Sequence, residues 1–220
     1  MNKIIIRKMY SKLTTGISEK YLSRFRNRKL LNKNFTIISN NCWAGWVYRR
    51  YNIEYKTPTV GLFIMPDDYI IFLKDLKKYI NMDVKFIKPE DSKYKKYISS
   101  KDKRFGDYPI GKLNDIEIHF LHYKSPEEAY EKWNRRKRRI NYENLIVKFN
   151  DQNGCGYEDV NEFLELPYEN KIFFTANKEF SKNKSIYIKE FSESKFVEND
   201  MLLCTKYLKL TEYLNGILKK

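Results

Sequence analysis

Between residues 4 and 25, Ile6, Met9, Tyr10, Leu13, Ile17, Tyr21 and Phe25 recur at helical spacing, and Arg7, Lys8, Lys12, Lys20 and Arg24 fill the other faces. That period predicts a basic amphipathic helix, weakened at its centre by Gly16. After the polar stretch Asn32-Lys33-Asn34 the pattern changes. Short β-branched and aromatic runs predict strands over 35–39, 60–64, 84–87, 116–123, 145–149, 171–175 and 185–189. Amphipathic spacing predicts helices over 46–51, 66–80, 126–140, 157–164 and 196–218. Alternation of this kind predicts an α/β fold with a largely parallel or mixed sheet flanked by helices. Residues 88–112, dominated by Lys, Ser, Asp, Gly and Pro, read as one long connection. The organisation expected is an N-terminal basic helix over 1–34 followed by a single α/β domain over 35–220.

Composition narrows the class. With 220 residues, 42% apolar, the chain can bury a proper core and is unlike a disordered or fibrous sequence. Cys42, Cys155 and Cys204 are an odd number at wide spacing, with no C-x-x-C pair, and there are two histidines. This argues against a disulfide framework and against a structural zinc site. No run of about 18 apolar residues occurs, and the Met1 end lacks an uninterrupted apolar core of the secretory kind. The expectation is a cytoplasmic protein, peripheral at the inner membrane face if the basic helix docks there.

The net charge of +15 invites a nucleic-acid reading, but its distribution argues otherwise. Residues 1–34 hold ten Lys/Arg against Glu19 alone, so this segment carries +9 and the other 186 residues only +6. A basic amphipathic helix can lie on an anionic leaflet, or its apolar stripe can pack on the domain.

Candidate chemistry gathers after two strands and on one helix. Thr36-Ile37-Ile38-Ser39-Asn40-Asn41-Cys42-Trp43-Ala44-Gly45 reads as a buried strand, a small polar turn and a helix start. That arrangement can offer backbone N–H groups and a helix N-terminus to a phosphate, with Ser39, Asn40, Asn41 and Gly45 at the turn and Trp43 stacking on a sugar ring or base. N-capping, with Trp43 in the core, explains the same letters. The turn is neither a P-loop nor a dinucleotide fingerprint, so no cofactor is assigned. Cys42 at a helix N-terminus is expected to have a lowered pKa, or to be simply a small buried residue. In the 116–123 run the strand period places Glu117, His119 and Tyr123 on one face, and His122 near the end stands where an α/β enzyme keeps a general base. A hydrogen-bonded structural histidine is the alternative.

Ser125-Pro126-Glu127-Glu128 starts the next helix with an N-cap, a Pro and an acid three residues after the Ser. On that helix Ala129, Trp133, Arg136 and Ile140 share a face, so Arg136 interrupts an apolar stripe and needs a carboxylate or a bound anion. Asp151, after the strand over 145–149, is a single carboxylate, where a metal-dependent glycosyltransferase keeps closely spaced aspartates; no metal site is assigned.

Several of these segments carry a resemblance. Ser39 to Gly45, Thr57-Pro58-Thr59-Val60-Gly61-Leu62-Phe63-Ile64, Tyr108-Pro109-Ile110-Gly111, and His119 to Tyr123 running through Glu127-Glu128-Ala129 to Trp133 and Arg135-Arg136 resemble bacterial domain-of-unknown-function family 1919. Members of that family are commonly labelled exopolysaccharide or capsule biosynthesis proteins. The resemblance covers roughly residues 35–177 and implies a polysaccharide setting without supplying catalytic residues. The expected function is a transferase, glycosyl transfer favoured, acting on a lipid-linked glycan. In it the 39–45 turn and Arg136 hold the phosphate of a nucleotide sugar or other activated donor, and His122 acts as base with Asp151 in support. The alternative is a non-catalytic accessory protein that binds anionic membrane or acidic polymer through residues 1–34.

Overall fold

The computed structural model describes residues 17–181 and 185–217. Helix α1 (Ile17–Arg28) is the described part of the expected N-terminal helix, whose first turns lie outside the described residues. Its end is tied down, since Asn27 Nδ2 donates to the Tyr51 carbonyl at 2.8 Å and Leu31 N donates to Asn215 Oδ1 at 2.9 Å. Tyr21, Leu22 and Phe25 on α1 stay exposed. Among the described residues no helix is long and apolar enough to cross a membrane.

The chain continues through β1 (Thr36–Ser39), α2 (Trp43–Arg50), α3 (Pro66–Lys74), α4 (Leu76–Asn81), β2 (Lys85–Ile87), α5 (Lys95–Ser99), β3 (Ile110–Leu113) and β4 (Ile116–His119). It then forms α6 (Pro126–Lys137), β5 (Leu145–Asn150), α7 (Tyr157–Glu165), β6 (Asn170–Thr175), β7 (Ser185–Tyr187), α8 (Asp200–Tyr207) and α9 (Leu210–Gly216). Two sheets result. Strands β1-β5-β6-β7 lie in that order, all parallel, with Thr36 opposite Leu145 and Ile146 opposite Asn170. Strands β2-β3-β4 form an antiparallel meander. The fold is therefore α/β with one parallel and one antiparallel sheet.

The parallel sheet is buried on both faces, which is why its strands read as nearly unbroken apolar runs. Ile37, Ile146, Ile172 and Phe174 belong to a core shared with Val47 of α2, Leu203 of α8 and Leu214 of α9. Ile38, Val147, Phe149 and Phe173 belong to a second core with Tyr69 and Phe72 of α3, Phe163 of α7, Trp133 of α6 and Ile116 and Ile118 of β4.

Five expectations need correction. Residues 60–64 form no strand: Gly61 has φ +73°, which breaks the ladder, and a single bridge joins Phe63 to His119. The preceding residues instead close the outer edge of β1, where the Thr59 hydroxyl accepts from Ser39 N at 3.2 Å and the Tyr48 hydroxyl accepts from Ile37 N at 3.2 Å. Side-chain groups thus occupy backbone positions that a foreign strand would otherwise pair with. The expected strand over 116–123 stops at His119, because Leu121 N and Tyr123 N turn back to the carbonyls of His119 and Phe120. Helices expected over 66–80 and 196–218 are each divided, the first at Asp75 with φ −138° and the second at Leu208, in extended conformation. Residues 88–112 contain α5 and the start of β3 rather than one connection.

Candidate functional site

Open parallel sheets bind ligands beyond the carboxyl ends of their strands. At the carboxyl ends of β1 and β5 two cavities adjoin, sharing Cys42 and Met201 as common wall. A third cavity, of about 470 Å³, opens at the amino ends of β5 and β6. There Lys74 pairs with Glu162 at 2.7 Å and Lys77 sits over the Tyr142 ring at 5.2 Å, so its cations have partners.

The first carboxyl-end cavity, about 390 Å³, is lined by Arg49, Tyr55, His122, Tyr123, Lys132 and Arg136 among others. Arg136 projects from the inward face of α6 and is only 7% exposed. Its Nη1 donates to the Tyr123 hydroxyl at 2.6 Å, and its guanidinium lies 4.9 Å from the centre of the Tyr55 ring. The neighbouring arginines are used differently: Arg135 pairs with Glu131 at 2.9 Å and Arg139 with Glu54 at 3.0 Å. Arg49 and Arg136 have no carboxylate within 4.0 Å among the described residues. Arg49 reaches the cavity over Gly45, where a Cβ would lie 3.6 Å from its Nη1 and 2.9 Å from Val60 Cγ1.

His122 stands on the same wall. Its backbone N donates to the Gly61 carbonyl at 2.9 Å, and a Cβ on Gly61 would meet His122 and Tyr123 at 3.3 Å. Burial, then the charges of Arg104 and Arg49, hold its pKa below the usual histidine value. A neutral imidazole beside two cations can accept a proton near pH 7.

The second cavity, about 380 Å³, has Asn41, Tyr97, Gln152, Phe196, Asn199 and Asp200 in its wall. Beneath it lies a buried polar network. Lys148, fully buried in β5, pairs with Asp200 at the start of α8 and donates to Asn41 Oδ1 at 3.0 Å. Asn40 Nδ2 donates to Asn150 Oδ1 at 2.9 Å, joining the carboxyl ends of β1 and β5. Removing a lysine cation from water costs several kcal/mol, so Lys148 is sustained by its carboxylate and amide partners. Sequence reading passed over both members of the pair. The available signal was Lys148 itself, one charged residue inside an otherwise apolar strand.

The residues expected at the 39–45 turn divide. Asn41 and Cys42 reach the cleft, whereas Ser39 and Asn40 are buried in the turn and its network. The turn does not leave its helix N-terminus free: Asn41 Oδ1 accepts from Trp43 N at 3.1 Å and Ser39 Oγ from Ala44 N at 3.2 Å. Trp43, expected to stack on a ligand, is a core residue, fully buried with its ring 5.9 Å from Phe174. Of the two alternatives for Cys42, a lowered pKa and a small buried residue, the surroundings do not favour the first. Burial and the nearby Asp200 push its thiol up to about 11, and Sγ faces the Leu62 carbonyl at 3.8 Å.

Asp151 sits apart from His122 and is committed to the fold. Its Oδ2 accepts from the Thr175 hydroxyl at 2.7 Å and Ala176 N at 2.8 Å, and its Oδ1 accepts from Val197 N at 2.7 Å. These bonds tie the loops after β5 and β6 to the segment leading into α8.

A family model described as "Domain of unknown function (DUF1919)" matches residues 13–216. A Haemophilus influenzae protein titled "Uncharacterized protein" is 30% identical over 187 residues, 84% of each of the two chains.

Proposed function

The chain belongs to the DUF1919 domain family, and we propose that it is a transferase of surface-polysaccharide synthesis, glycosyl transfer foremost, whose carboxyl-end cleft holds the phosphate of an activated donor. One observation carries the reading: Arg49 and Arg136, two arginines without carboxylate partners among the described residues, line one cavity with His122. The planar guanidinium fork, held inside a cavity, favours an oxyanion that can accept two parallel N–H bonds, and phosphate does so with multiple charge. The polysaccharide setting comes from the resemblance of the 39–45, 57–64, 108–111 and 119–136 segments to a family so labelled.

In this reading Arg49 and Arg136 bind the donor phosphate and stabilise negative charge as the phosphate leaves. His122, neutral before binding, takes the proton of the attacking acceptor hydroxyl. Asp151 receives no part in the chemistry because its carboxylate already serves three buried donors.

The test is calorimetric titration with pyrophosphate and a panel of nucleotide sugars against wild type, Arg136→Ala and Arg49→Ala. Loss of one charge-assisted contact of about 1.5–3 kcal/mol weakens binding roughly tenfold to a hundredfold. Absence of phosphate binding in wild type, or wild-type affinity retained in both variants, removes the anion site.

A further inference from the structure

Arg49 and Arg136 account for a phosphate but leave the adjoining cavity without a role. Its floor is Asp200, 1% exposed, whose two oxygens differ. Oδ2 collects every donor in the network: Lys148 Nζ, Asn41 Nδ2 at 3.0 Å and Asn150 Nδ2 at 3.0 Å. Oδ1 takes none of them. A carboxylate has about four acceptor positions, so the network satisfies one side of Asp200 and leaves the other for a ligand. The Lys148 ammonium is paired to the same carboxylate through Oδ2, so Oδ1 remains an acceptor position.

Two aromatic rings stand in the same wall, Tyr97 and Phe196, 38% and 42% exposed. Tyr97 is seated rather than loose: Gly154 has φ +80°, and a Cβ there would come within 3.2 Å of the Tyr97 hydroxyl. Asn199 Oδ1, in the same wall, is shielded from solvent and has no hydrogen-bond partner among the described residues. The cavity therefore offers an unused acceptor at its base, Asp200 Oδ1, and apolar ring faces at its rim. A sugar ring presents the complement, several hydroxyl donors around its edge and C–H groups on its faces. A nucleobase fits less well, because its edge alternates donors with acceptors and an acceptor oxygen offers nothing to the acceptors.

We propose that this second cavity is a hexose subsite, in which Asp200 Oδ1 accepts from ring hydroxyls and Tyr97 and Phe196 cover the ring. It rests on the transferase reading for its context, since the shared wall at Cys42 and Met201 places the subsite beside the phosphate position. The ligand spanning both cavities is a sugar joined to phosphate. Its volume of about 380 Å³ falls within the usual range for ligand pockets, about 300–1,000 Å³.

The experiment separates this subsite from the anion site by using neutral probes. Saturation-transfer NMR is recorded on the full chain with a panel of methyl hexosides and methyl N-acetylhexosaminides, and with uridine. The expected result is transfer to at least one hexoside, reduced at least fivefold in Asp200→Asn and in Phe196→Ala and unchanged in Arg136→Ala. Phe196 is a surface residue, so that variant keeps the test open if Asp200→Asn fails to fold. No transfer to any hexoside, transfer that survives in the folded variants, or transfer to uridine alone overturns the subsite. Failure of pyrophosphate to bind, with hexoside transfer intact, overturns the anion site and leaves the hexose subsite standing.

Discussion

Among the described residues, His119 has neither of the polar contacts its ring nitrogens are built to make. The ring is fully buried, stacked on Phe63 at 4.6 Å, bordered by Tyr94 and Tyr108, and 3.9 Å from Glu117 Oε2 without a hydrogen bond. Burial pushes its pKa down to about 3. The unfolded chain, with an ordinary histidine, binds the proton first as pH falls, so the stability this group preserves is complete above about pH 6.5 and is lost progressively toward pH 3. The expected loss is about 2 kcal/mol between pH 7 and pH 5 relative to His119→Phe, read from urea denaturation midpoints at the two pH values. Parallel pH profiles for the two proteins would exclude the effect. What sequence made visible at this scale was Arg136, because a charge that interrupts an apolar helix stripe announces itself locally. Asp200 was hidden, since an acid in the first turn of a helix is ordinary and its partner Lys148 lies 52 residues away.

The α6 helix shows an element whose sequence signals and structure agree. Ser125 is extended at the N-cap, its Oγ accepts from Glu128 N at 3.3 Å, and Pro126 follows at the first helical position. Because α6 carries both Lys132 and Arg136 to the cleft, its first turn supports the candidate site. Ser125→Ala is expected to cost about 1 kcal/mol, seen as a lower denaturation midpoint with an unchanged slope. A change below 0.3 kcal/mol would mean that water replaces the cap without penalty. Strands β1, β5 and β6 were legible for a related reason, burial on both faces, which leaves an apolar run that needs no partner to be seen. The 60–64 stretch has the same composition, yet Gly61 at positive φ turns it from strand into a brace for His122. β3 escaped notice because Gly111 and Lys112 dilute a four-residue strand.

Across the whole molecule, one ion pair joins elements that sequence reading kept separate. Lys148 in the middle of the parallel sheet holds Asp200 at the head of α8, on the face covered by α2, α8 and α9. Breaking a buried pair from one side leaves an uncompensated charge, so Lys148→Met and Asp200→Leu should each cost about 3–5 kcal/mol. The double variant should recover at least about 1 kcal/mol against the sum of the two, a coupling measurable by a double-mutant cycle. Additivity within about 0.5 kcal/mol would show that the two side chains are neighbours without being an energetic unit. Neither the split into two sheets nor this crossing contact could be read from periodicity, which reports the burial of each segment and nothing of its neighbours.

The strand order has a further consequence, for the order of events as the chain is made. Among the described residues β1 pairs only with β5, and the side-chain bond from Asn40 to Asn150 that joins their ends spans 110 residues. Closing a flexible loop of that size costs about 4 kcal/mol in chain entropy before any contact compensates it. The antiparallel meander, wholly inside that loop, has short-range partners and can form while β1 still waits. A ribosome adding about 5–20 residues each second therefore leaves β1 unpaired for several seconds, with Tyr48 and Thr59 already synthesised to shield one of its edges during the delay.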